Sequence, residues 1–127
     1  MRTKVIVGAL LFVAVVAVSA LGAAPTRRAS VVRFLKPTIV AGAAVLGPVV
    51  FEHDDARMAR GEACTKVFRY DSRQKARGEL IVEFHCTPKD RPVATKFEAT
   101  MIKSPLGPDR LIEYQLSGES EGHGVPY

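Results

Sequence analysis

The chain has 127 residues, 47% of them hydrophobic and 7% aromatic with no Trp, and its 18 basic and 13 acidic side chains give a formal charge of +5. That length holds one domain, and the charge excess is too mild to imply a nucleic-acid partner. Neither a GxGxxG nor a GK[ST] phosphate loop occurs, and no serine reads as a strand-to-helix elbow backed by a histidine, so the chain is read as no enzyme.

Met1-Arg2-Thr3-Lys4 precedes an apolar run over residues 5–23, the order of charge and then apolar residues that a secretory signal peptide has. A signal peptide is predicted over 1–24, cut between Ala20 and Ala24, which makes the protein secreted or periplasmic. An uncleaved anchor is the alternative, because 19 apolar residues nearly span a bilayer of about 30 Å. Against it, Arg27, Arg28, Arg33 and Lys36 after the run outnumber Arg2 and Lys4 before it. A membrane is therefore met only through this segment, and only if it stays uncleaved. Without those two leader cations the net charge is about +3. Residues 25–35 read as a basic, solvated N-terminal tail.

The β domain is placed at 36–118. Residues 38–41 and 45–53 read as strands, with Pro37, Gly47 and Pro48 pushing them toward an edge or a bulge. Asp54 or Asp55 is placed to cap a short helix over 56–60, with Gly61 as its left-handed stop. Residues 66–70 and 79–86 are rich in β-branched and aromatic side chains and form a predicted hairpin. A register whose paired numbers sum to 150 sets Cys64 opposite Cys86, Phe68 opposite Val82 and Tyr70 opposite Leu80, all on the inner face. The same register turns His85 outward. Residues 94–102 and 111–117 continue the alternation, the first through Phe97, Ala99 and Met101, the second through Ile112, Tyr114 and Leu116. The fold class expected is all-β: a small antiparallel meander of five to seven strands forming a sandwich or open barrel, with one capping helix. Residues 119–127, rich in Gly, read as a flexible tail.

An exported domain this small favours a Cys64–Cys86 disulfide, closing a 23-residue loop. For metals, the candidate ligands are His53, Asp54, Asp55, His85 and His123, with Met58 nearby, since imidazole and carboxylate suit Zn²⁺ or Cu²⁺. No HxH, CxxC or HExxH spacing groups them, and each has a simpler use: a cap, a strand end or a loose tail. No metal and no cofactor is therefore expected.

The stretch Pro37-Thr38-Ile39-Val40-Ala41-Gly42 through Gly47-Pro48-Val49-Val50-Phe51 resembles the opening hairpin of small secreted bacterial β-sandwich proteins of uncharacterised function. The resemblance implies export and architecture and brings no catalytic residue. By elimination, the function expected is that of a non-catalytic exported module binding a protein or cell-envelope component. The alternative is a periplasmic metal-binding protein that uses His and Asp ligands for Zn or Cu.

Overall fold

The computed structural model describes residues 27–127, so the predicted signal peptide at 1–24 lies outside the described residues. The described chain is mostly β: β1 (Arg27–Val40), β2 (Ala43–Asp54), β3 (Thr65–Asp71), β4 (Ala76–Phe84), β5 (Thr87–Asp90), β6 (Glu98–Ile102), β7 (Asp109–Gln115) and β8 (Glu121–Gly124), with one helix, α1 (Asp55–Ala59). All eight strands join one open mixed sheet in the order β4-β3-β2-β1-β7-β8-β5, and β6 also pairs with β7. No helix among the described residues is long and apolar enough to cross a membrane.

Local chemistry explains the first half. β1 and β2 turn tightly through Ala41 and Gly42, both at positive φ (48° and 85°), as a two-residue hairpin requires. A bulge at 35–37 takes up Pro37, and Gly47 opposite it has φ 80°. Asp54 ends β2 and caps α1, its Oδ1 accepting from the Ala56 and Arg57 amides at 3.0 and 3.2 Å. Gly61 closes that turn at φ 72°, as the sequence predicts.

The meander holds only for β1 to β4. From β4 the chain crosses to the far end of the sheet, and β1 pairs with β7 in parallel at Thr38–Asp109 and Ile39–Arg110. Three strand spacings separate β3 from β7, roughly 14 Å on a flat sheet. Yet the Thr65 and Tyr114 hydroxyls of those two strands hydrogen-bond, so the sheet folds over onto itself. Phe51 fills the fold, with its ring 5.0 Å from Tyr114 and 5.3 Å from Phe97.

Four expectations are corrected. The tail at 25–35 is strand from Arg27 onward, paired with β2 from Arg27–Asp54 to Phe34–Gly47. The tail at 119–127 is likewise structured, because β8 pairs with both β5 and β7. In the β3–β4 hairpin the register is one short of that expected: Val67 faces Val82, and bulges shift Phe68 to Leu80 and Tyr70 to Arg77. Thr65 and Val67 therefore point inward with Phe84, while Leu80 is exposed and Phe68 is covered by the Arg77 guanidinium. In β7 a bulge at Ile112 turns Leu111 inward in its place.

Candidate metal centre

Five segments deliver one cluster. His53 is the penultimate residue of β2, and its pairing with Thr65 brings Cys64, one residue before β3, alongside. The Asp54 amide donates to the Cys64 carbonyl (2.9 Å) and the Cys64 amide donates to the Phe84 carbonyl (3.1 Å), which anchors the chain two residues ahead of Cys86. Met58 arrives on α1, and His123 arrives on β8 opposite Tyr114 and Pro88. His53, His123, Cys64 and Cys86 are all buried.

Cys86 is the hub. Its Sγ lies 3.4 Å from His53 Nε2, 3.6 Å from His123 Nδ1, 3.8 Å from Met58 Sδ and 2.7 Å from Cys64 Sγ. The donor atoms of His53, Cys86 and His123 all lie within 4.8 Å of one another. Bonds of about 2.0 Å to nitrogen and 2.3 Å to sulfur, meeting near the tetrahedral angle, put such donors about 3.5 Å apart. The two nitrogen–sulfur distances, 3.4 and 3.6 Å, are close to that spacing.

Each imidazole is held from behind. His53 Nδ1 meets Asp55 Oδ1 at 3.1 Å and leaves Nε2 to face Cys86, whereas His123 Nε2 meets Glu119 Oε2 at 3.0 Å and its Nδ1 faces both Cys86 Sγ and Glu121 Oε1 at 3.6 Å. A carboxylate on the remote nitrogen fixes tautomer and orientation in the way metal-bound histidines need. The rings lie 4.1 Å apart, and Tyr114 covers His123 at 4.9 Å. Burial first, and then the neighbouring His123, lower the His53 pKa against the pull of Asp55. Burial, reinforced by Cys64, pushes the Cys86 thiol up, so it is no ready nucleophile.

The sequence candidates divide accordingly. His53 and His123 come together. Asp55 stands behind His53, and Asp54 serves as helix cap and partner of Arg27. His85 is exposed on the opposite face, as alternation predicts. Cys86, expected in a disulfide with Cys64, is the sulfur on which both histidines converge. The Cys64 and Cys86 sulfurs lie 2.7 Å apart, longer than a bonded length of about 2.05 Å. Gly118-Glu119-Ser120-Glu121-Gly122 spells the letters of a serine-hydrolase elbow that sequence reading passed over. It joins two strands rather than a strand and a helix, and Ser120 is exposed. Glu119 within it holds His123 Nε2.

An opening of about 230 Å³ lined by Arg28, Asp55, Glu119, Ser120 and Glu121 reaches the two carboxylates that hold the histidines. Glu119 Oε1, the one buried side-chain polar atom without a hydrogen bond among the described residues, sits 3.6 Å from the Arg28 guanidinium. Comparison of the chain with protein-family models, with curated proteins and with solved structures found no match.

Proposed function

We propose that the protein is an exported, non-catalytic metal-binding module whose centre is His53, Cys86 and His123. The single observation that carries this is the convergence of two carboxylate-backed imidazoles on one buried sulfur at 3.4 and 3.6 Å. A carboxylate behind each imidazole is the arrangement that orients metal-bound histidines. Thiolate and imidazole together select Cu or Zn over hard cations. Met58 as a longer fourth donor favours copper, since two His, one Cys and a weak axial Met form a copper set.

Export rests on the leader-like residues 1–24 and architecture on the folded-over sheet, read as a sandwich rather than a closed barrel because β4 and β5 stand at opposite ends of the strand order. A protein or envelope component as partner is the second reading, favoured by the exposed apolar side chains Leu35 and Leu106. The test is calorimetric titration of the reduced protein with Zn²⁺ and, anaerobically, Cu⁺. One ion per chain at roughly micromolar affinity or better, abolished by His53→Ala with His123→Ala, is the expected result. Uptake unchanged in that double variant would refute it.

A further inference from the structure

We infer that metal loading is gated by thiol–disulfide exchange at Cys64, which competes with the metal for the sulfur of Cys86. The inference rests on the metal reading and extends it to regulation. Cys86 Sγ is shared between two incompatible roles: the histidines approach it at 3.4 and 3.6 Å, and Cys64 Sγ approaches it at 2.7 Å. Cys64 stands outside the three-donor group, its sulfur touching Cys86 and the Phe84 carbonyl. It is placed to take Cys86 away from a metal rather than to help hold one.

The two sulfurs are in contact at 2.7 Å, within reach of a bond of about 2.05 Å. In the oxidising direction a small-molecule or protein disulfide accepts the two electrons and two protons of Cys64 and Cys86 and leaves as two thiols, while the Cys64–Cys86 bond forms. In the reverse direction an incoming thiolate attacks Cys64 Sγ, and the S–S electron pair departs on Cys86 as thiolate between His53 and His123. A second thiol then resolves the mixed disulfide at Cys64. Cys64, itself buried, borders a small polar depression lined by Arg27, Arg57, Lys66 and Arg77 together with Glu52 and Asp54. Reduction frees the Cys86 sulfur, which gives up its proton on binding the metal, so reduction loads the site and oxidation empties it.

The experiment compares Zn²⁺ bound by the full-length protein after reduction with a phosphine, after oxidation with oxidised glutathione, and after re-reduction. Intact mass counts the two hydrogens lost in each disulfide. Expected are one Zn²⁺ per chain when reduced, at least about tenfold weaker binding when oxidised, and recovery on re-reduction. Cys64→Ser should keep its Zn²⁺ under the same oxidant, whereas Cys86→Ser should bind poorly throughout. If the reduced protein takes up no Zn²⁺, the metal reading falls and the gate with it. If the reduced protein binds Zn²⁺ but the oxidised form, its disulfide confirmed by mass, binds within a factor of two as tightly, the gate alone is overturned. Loss of metal from Cys64→Ser on oxidation would overturn the gate equally, and the wild-type comparison stands without any substitution.

Discussion

The carboxylates behind the histidines offer a graded test of the proposed metal centre, because they contact its ligands without occupying a ligand position themselves. Glu119→Gln keeps the shape and one oxygen of the side chain but removes the charge that holds His123 Nε2 at 3.0 Å. Asp55→Asn does the same to His53 Nδ1 at 3.1 Å. Loss of such a partner weakens metal binding about 10- to 100-fold, or roughly 1.4 to 2.7 kcal/mol. The two sites should not respond equally. The Glu119 side chain is 10% exposed, whereas that of Asp55 is 44% exposed and water can replace much of what it supplies. Glu119→Gln should therefore fall near the upper end of that range and Asp55→Asn near the lower end. Competition against a chromophoric chelator at fixed pH, with the reduced protein, measures both. A reversed order, or affinities within threefold of wild type for both variants, would refute the assignment of these carboxylates as orienting groups.

Three further outcomes follow from the same geometry. His85→Ala should leave metal affinity unchanged and stability within about 0.5 kcal/mol, because the ring is exposed on the far face; a loss of the site in urea-melt or titration data would contradict the strand parity. Metal-free protein with the Cys64–Cys86 disulfide should be roughly 3 kcal/mol more stable to urea than the reduced form, from a closed loop of 23 residues, and equal midpoints would count against it. Asp109 is buried and held far below the usual carboxylate range by the Ser104 amide first and then by Lys36 and Lys103. A depressed folded-state pKa stabilises the fold above the unfolded value of about 3.9, and that contribution is lost as pH falls below it. Asp109→Asn should therefore flatten the acid limb of the stability curve, and an unchanged limb would show that other carboxylates carry it.

Strands were legible where β-branched and aromatic residues alternate, and so was the helix, because Asp54 and Gly61 bracket it with cap and stop. Register was less so. Bulges within β3–β4 and at Ile112 each insert a residue that no side-chain pattern marks, and each reverses which face follows. The nearness of Cys64 and Cys86 and the outward turn of His85 survived because both depend on the short run from Phe84 to Cys86. His123 was legible as a candidate ligand, but its place in a strand beside His53 was not. Its segment, Glu-Gly-His-Gly, lacks any β-forming signal and reads as a loose tail. Its glycines instead permit close approach: a Cβ at Gly122 would meet Glu113 Oε2 at 2.6 Å, and one at Gly124 would meet the Thr87 carbonyl at 3.3 Å. Arg27 and Arg28, read as solvated, are ion-paired with Asp54 and Glu119 across the fold. Such pairings join residues far apart in the chain and leave no local trace.

The most direct measurement is X-ray absorption at the metal edge of the reduced protein loaded with one equivalent of Zn²⁺ or Cu⁺. The arrangement of His53, His123 and Cys86 predicts two imidazole nitrogens at about 2.0 Å and one sulfur at about 2.3 Å, with the sulfur shell lost in Cys86→Ser. A first shell of light atoms alone, unchanged by that substitution, would contradict it.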